Sequence, residues 1–315
     1  MPGALPFLVI SCLVAACAAA LAESLDSKVD DNILVTVVGG AVLWVATLVN
    51  PEMLVVAGAV VSGSGGPMAA SIGGEWSWVA PWLAGVAITV PITTVAYLSR
   101  AVDLAGAAVG ALLAIVLYVY AGWPGLLILG GLMVIGTSVT RLSYNRKEVA
   151  GVAEGSGGRR GMGSVIANVG AGTAFALLAV ATPYSEPFTV AMVAAFATAL
   201  FDTAATELGQ SYGRRHVLIM TLRPVPRGTV GGVSVMGTAA GVGGATALAG
   251  AGWTTGLVGG AGALAVVLGA FVGSTLESFL GAMMGSGSQA DHHLRNFTNT
   301  VAGAGVAWGS LVLLT

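Results

Sequence analysis

Charged side chains are scarce in this chain. Of 315 residues, 12 are Lys or Arg and 14 are Asp or Glu, 8% in all. A soluble domain carries about a quarter charged residues, so this sequence cannot cover a water-facing surface. With 56% hydrophobic residues and a mean hydropathy of +0.90, it reads as a polytopic membrane protein. Cysteine is nearly absent: Cys12 and Cys17 both lie in the first apolar run, which excludes a disulfide framework and a cysteine-type zinc site. That run, "ALPFLVISCLVAACAAALA", lacks a basic leader and is followed by further apolar runs, so it reads as a permanent first helix rather than a signal peptide. Neither GxxxxGK[ST] nor GxGxxG occurs, so there is no P-loop and no Rossmann turn. The net charge of −2 carries no information as a sum, because only the placement of charge matters here. No nucleic-acid partner is expected.

Glycine and apolar runs are what the chain does have. Its 48 glycines, with abundant alanine, suit helices packed closely in lipid, although a GC-rich genome would give the same bias. Windows of about 20 apolar residues fall near 4–22, 32–49, 53–71, 77–98, 102–121, 123–141, 163–182, 187–205, 229–249, 254–282 and 297–315. The third is interrupted by "VSGSGGPMAASIGG", and the tenth is long enough to be broken or re-entrant. The expectation is an all-α bundle of about 9–11 transmembrane spans. Basic residues gather in three loops, 141–162, 206–228 and 283–296, each two spans from the next. The positive-inside rule puts these loops and the N-terminus in the cytoplasm. The chain then divides into N-terminal spans with short loops (1–140) and a catalytic region (141–315) holding all three polar loops, within a multi-pass protein of the cell membrane.

Acids inside spans are expensive, about 2.5 to 3.5 kcal/mol at a helix centre on the insertion scale. Three stand out: Asp202 and Glu207 in "FDTAATELGQSYGRRH", and Glu277 in "FVGSTLESFLGAMMG", where Ser274 and Ser278 would share its face. Asp202 and Glu207 are five apart, about 140° around a helix. They share a face only if the helix ends between them, and Gly209 suggests an end nearby. A cluster of hard oxygen ligands beside arginines is what a Mg²⁺–phosphate site requires, so Asp202, Glu207 and Glu277 are the expected metal and catalytic residues. "EGSGGRRGMGSVIANVGAG" surrounds Arg159 and Arg160 with glycines just before a span, and "RPVPRGTVGGVSVMGT" does the same with Arg223, Arg227, Gly228, Thr229, Gly231 and Gly232. Exposed backbone N–H groups, a helix N-terminus and arginine together bind phosphate. Lys147 is a further candidate cation. Asn168, Asn296 and Asn299 either bond between helices or orient a ligand, and both roles stay open. His292 and His293 are adjacent and read as solvated loop residues; Asp103 reads as a helix-start acid.

The stretches "RKEVAGVAEGSGGRRGMGSVIANVGAG", "FDTAATELG", "RPVPRGTVGGVSVMGT", "GSTLESFLGA" and "NFTNTVAGA" occur in order over residues 141–305. In that order and spacing the chain resembles a widespread integral membrane family that includes transmembrane protein 19 and the plant phytyl-phosphate kinase. The first 100 residues match weakly. Glu277 stands where that family commonly has Asp, Val169 where Gly is usual and Ala205 where Ser is usual, and none of these removes a charge. Asp202, Ala205 and Gly209, followed by basic residues and a Gly/Thr run, are also similar to the CTP-using dolichol and phytol kinases. The resemblance implies a membrane-embedded kinase that converts an isoprenoid monophosphate to the diphosphate with Mg²⁺ and a nucleoside triphosphate, CTP favoured. Asp202, Glu207 and Glu277 would hold the metal. Lys147, Arg159, Arg160, Arg223 and Arg227 would meet phosphates, and Thr229, the neighbouring glycines, Ser278 and the three asparagines would position the ligands. Partners are then an isoprenoid phosphate, a nucleotide and membrane lipid, with homo-oligomerisation left open. The alternatives are a secondary transporter or channel, which puts acids near mid-span, and a CTP-dependent lipid-phosphate cytidylyltransferase built from the same parts.

Overall fold

The computed structural model describes residues 79–149, 158–285 and 289–314, with residue 151 and isolated positions between 12 and 50. The expected spans at 4–22, 32–49 and 53–71 lie largely or wholly outside the described residues. The remainder is a polytopic helical bundle, as expected. Its elements are α1 (Ala80–Leu98), α2 (Leu104–Val149), α3 (Met162–Ala181), α4 (Ser185–Tyr212), β1 (Val217–Leu218), β2 (Gly232–Val233), α5 (Val235–Thr254), α6 (Gly260–Met284) and α7 (Gln289–Leu314). Among the described residues, six helices are long and apolar enough to cross a membrane, taking α2 as one.

The chain reverses inside α2. Gly122 has φ 65° and ψ −165°, a conformation open to glycine and not to a helix, and Pro124 follows. Two arms result, 104–121 and 123–149, matching the separate spans at 102–121 and 123–141. Both arms line one cavity, and Arg160 touches both Gly106 and Gly136, so the arms fold back on each other. Asp103 starts the first arm: its Oδ1 accepts from Gly106 N at 2.7 Å, the role expected of a helix-start acid.

Helix α4 forms the axis of the bundle. Its most apolar stretch is 78% buried, against 17% for α1, and α2, α3, α5, α6 and α7 all pack on it. The reason is small residues on its neighbours. Phe196 seats on Gly172 of α3, Leu200 and Phe201 on Gly244 and Gly241 of α5, and Thr198 on Gly303 of α7. A Cβ on Gly172 or Gly241 would come within 2.5 Å of the phenylalanine ring it faces. The glycines are contact surfaces of this kind, the use that lipid favours.

Three helix boundaries differ from expectation. Helix α4 runs on through Glu207 and Gly209 to Tyr212; Gly209 is no terminus, because it packs on Gly237 of α5. Helix α5 starts at Val235, since residues 217–233 form a two-stranded hairpin with Val217 opposite Val233. Helix α7 starts at Gln289, so His292, His293 and Asn296 are helical and the 283–296 loop contracts. Helix α6 is unbroken from Gly260 to Met284, preceded by a turn with Gly256 at φ 77°.

Candidate functional site

A cavity of about 260 Å³ lies where α4, the hairpin, the start of α5 and α6 meet. From α4 it takes Asp202, Ala205, Thr206, Gly209 and Gln210, a helical stripe at i, i+3, i+4, i+7 and i+8. From α6 it takes Phe271, Ser274, Thr275 and Ser278, again one stripe. The hairpin closes a third side with His216, Gly228, Thr229 and Gly232, and α5 begins at the fourth with Ser234, Gly237 and Thr238. The walls are mostly hydroxyls, glycine backbone and one carboxylate.

The hairpin is held for this purpose by its turns. Thr229 Oγ1 donates to the Pro226 carbonyl at 2.8 Å, and Gly232 N to the Thr229 carbonyl at 2.9 Å. Gly228 and Gly231 sit at φ 83° and 74°. Gly231 is pressed against α6: a Cβ there would be 2.5 Å from Ala282 Cβ and 2.7 Å from the Ser278 carbonyl. His216 Nε2 lies 3.0 Å from the Gly209 carbonyl; because a carbonyl only accepts, that nitrogen carries the hydrogen. Ser234 caps α5, accepting from Gly237 N at 3.1 Å. The positive end of the α5 dipole therefore abuts the cavity, the arrangement that favours anions.

A polar layer flanks the cavity. Asp202 is half-buried and lies within the fields of the Glu277 carboxylate and the Arg295 guanidinium. Glu277 Oε1 is 3.5 Å from Arg295 Nε, a nitrogen that makes no hydrogen bond; another guanidinium nitrogen, Nη1, donates to the Gly285 carbonyl at 3.3 Å. On the same helix, Asn296 and Asn299 are buried. Asn296 Oδ1 and both amide atoms of Asn299 have no partner, and neither has His293 Nδ1. The Asn299 carbonyl packs on Gly273, next to Ser274 of the cavity wall.

Glu207 and Lys147 are elsewhere. Since α4 is continuous, Glu207 projects about 140° away from Asp202. It meets Lys147 Nζ of α2 at 3.0 Å, both side chains being buried. Arg146 stacks over the Tyr212 ring at 4.4 Å beside this pair. Among the described residues no three His, Cys, Asp or Glu gather as a metal group, so the expected trio narrows to Asp202 with Glu277. Neither Lys147 nor Glu207 lines the cavity. Arg159 is exposed at the start of the strap before α3. Arg160 is pinned through its backbone to the α1–α2 turn, donating to the Ala101 carbonyl and accepting from Asp103 N. Arg223 and Arg227 are exposed on the hairpin, outside the cavity. Asn168 is buried in α3 and donates to the Ser164 carbonyl at 2.7 Å.

Of the residues singled out in the sequence, Asp202, Ala205, Gly209, Gly228, Thr229, Gly232, Ser274 and Ser278 line the cavity, and Glu277, Asn296 and Asn299 belong to the flanking layer. The sequence reading missed Thr206, Gln210, His216 and Arg295. The first two follow from Asp202 by helical spacing once α4 is extended past Gly209. His216 and Arg295 carry no comparable signal.

Comparison with known proteins agrees with this architecture. The sequence profile of the integral membrane protein family DUF92 matches residues 87–310. The "Uncharacterized membrane protein sll0875" of Synechocystis is 36% identical over 203 residues, 62% of this chain and 78% of that protein. "Protein VTE6, chloroplastic" of Arabidopsis thaliana is 38% identical over 120 residues, 37% of this chain and about a third of its own length, 36%. No solved structure matches. The helical bundle, the ordered motifs and the profile agree: the chain belongs to the DUF92 family of integral membrane proteins.

Proposed function

We propose that this protein is a membrane-embedded kinase that transfers a phosphoryl group from a nucleoside triphosphate, CTP by preference, to an isoprenoid monophosphate of the phytyl or geranylgeranyl type, with its active site facing the cytoplasm. The observation that carries the proposal is the cavity in which the Asp202 carboxylate faces the glycine hairpin and the N-terminus of α5. The motif resemblance to the family that includes the plant phytyl-phosphate kinase supports the substrate class. Phosphoryl transfer needs positioning and charge stabilisation more than covalent chemistry, and these walls supply both.

The Gly228 amide and the first turn of α5 bind phosphate oxygens and Thr238 adds a hydroxyl, while Thr229 holds the hairpin turn in place through Pro226. Arg223 and Arg227, exposed on the same hairpin, meet the outer phosphates of an arriving nucleotide. The acceptor is already an anion, so no strong general base is required. The donor set fits Mg²⁺: the Asp202 and Glu277 carboxylates, the Ser274 and Ser278 hydroxyls and the unpartnered Asn299 amide oxygen are all hard oxygens. When bound, the ion neutralises charge on the transferring phosphoryl group. Arg295 holds Glu277 in place, and the buried Lys147–Glu207 pair fixes the height of α4 against α2.

The test is purified protein with geranylgeranyl phosphate, Mg²⁺ and each nucleoside triphosphate in turn, with products identified by mass spectrometry. Geranylgeranyl diphosphate is expected; its absence with every nucleotide sinks the kinase reading, and a cytidylyl adduct replaces it with the transferase reading. One observation favours a second reading. Asp202 lies ten residues before the end of α4, about 15 Å along the helix axis, which is a depth that coupled transport also uses. Cation-dependent uptake by proteoliposomes lacking any phosphotransfer would establish that reading.

A further inference from the structure

A second cavity, of about 370 Å³, lies on the side of the bundle formed by α1, both arms of α2 and α3. Its body is apolar, walled by residues such as Ile92, Ala96, Leu129, Met133 and Val165. Its one polar end is formed by Ser99, Thr137, Ser138 and Arg141. No Asp or Glu lines it, and neither ion pair found among the described residues includes Arg141. Arg141 Nη2 donates to the Ser99 carbonyl, which lays the guanidinium across the mouth and leaves most of its five N–H donors for a ligand. Arg160 brings a second positive charge, its guanidinium lying against Gly136 beside Thr137.

The space is built into the chain. A Cβ on Gly130 would meet nothing within 4 Å. Ile92, Val95 and Val134 line the cavity while being 58%, 65% and 67% exposed, so among the described residues the wall between α1 and the second arm opens sideways. The lining runs from Thr89 to Ser99 on α1, about 15 Å of helix or roughly half a hydrocarbon core. The volume accommodates about twelve groups the size of a water molecule, which suits part of one chain and not two.

We infer that this cavity is the binding site for the chain of a single-tailed lipid phosphate, with Arg141 as the headgroup residue, a site separate from the cavity beside Asp202. The volume favours one tail over the two of a diacyl phospholipid, and the guanidinium favours an anionic head.

The experiment is photolabelling of the full-length protein in nanodiscs, without nucleotide, by geranylgeranyl phosphate carrying a diazirine near the end of its chain, with the labelled peptides mapped by mass spectrometry. Label is expected within residues 89–99 and 126–141, displaced by unlabelled geranylgeranyl phosphate and not by phosphatidylglycerol. Gly130→Leu and Met133→Trp, which fill the cavity by different routes, should each cut labelling at least tenfold. Arg141→Gln should cut it about tenfold and Arg141→Lys less. Label confined to other segments, equal displacement by phosphatidylglycerol, or full labelling of folded filled variants overturns the inference. Labelling needs no turnover, so its failure beside intact kinase activity removes this site alone. Intact labelling beside failed phosphotransfer removes the kinase reading and leaves a lipid-phosphate site.

Discussion

Asp202 and Glu207 are the same kind of residue five positions apart on one helix, and the structure gives them different surroundings. Asp202 borders a cavity of hydroxyls and backbone amides, where a carboxylate can hold a cation against phosphate. Asp202→Asn keeps the shape and removes the charge, so it should lower kcat for diphosphate formation by about 10² to 10³, the usual loss for one preorganised charge in a transition state, with the thermal unfolding midpoint unchanged; full activity in the variant would remove Asp202 from the site. Glu207 is tied to Lys147, and both side chains are buried. Breaking a buried pair from one side costs about 3 to 5 kcal/mol, because a charge is left unpaired, whereas replacing both partners is often neutral. Lys147→Met and Glu207→Leu should therefore each lower the unfolding midpoint sharply, and the double variant should recover most of the loss. A double variant as unstable as the sum of the singles would mean that the pair contributes little coupling. The five-residue spacing made this division legible in advance, but which acid faced which partner depended on whether α4 continued past Gly209.

At the scale of elements, the hairpin and the start of α5 are where sequence and structure differ most. The run "RPVPRGTVGG" looks like a flexible loop entering a span, yet it forms a ladder docked on α6, with Gly231 against Ala282 and Ser278. Periodicity is silent on two-residue strands, and nothing local announces that a glycine faces another helix. Gly231→Ala places a Cβ in a left-handed conformation, about 1 to 2 kcal/mol, and into backbone contact. The hairpin should lift from α6, raising the KM for nucleotide several-fold while the global unfolding midpoint moves little. An unchanged nucleotide KM would remove the hairpin from nucleotide binding. The α2 reversal is the opposite case: Gly122 and Pro124 stand together in the sequence and break the helix where they should. Helix α4 outran its expected end because Gly209, usually a stop signal, is held inside the helix by its contact with Gly237.

For the whole molecule, the orientation proposed from the positive-inside asymmetry would put the hairpin, the strap before α3 and the start of α7 on the cytoplasmic side, and it is open to test. Arg223 is exposed on the hairpin, so in a variant lacking Cys12 and Cys17, Arg223→Cys should react with a membrane-impermeant maleimide in inside-out vesicles and stay unreactive in intact cells. Labelling from the outside would invert the orientation and put the cavity on the wrong side for nucleotide.

The sequence by itself determined the class of molecule, because too few charges exist to face water and the apolar runs are long enough to span. It also determined the break at Gly122 and the residue types of the candidate site, since acids, glycines and arginines so placed in an apolar chain are costly unless used. Only the tertiary structure decided which of them meet. Helix α4 became the axis because glycines from three other helices accept its large side chains, and that packing turned Asp202 toward α5 and α6 and Glu207 toward Lys147. Contacts between residues a hundred positions apart, such as Glu277 near Asp202, follow from how helices stack around one core, and no local pattern in the chain records that.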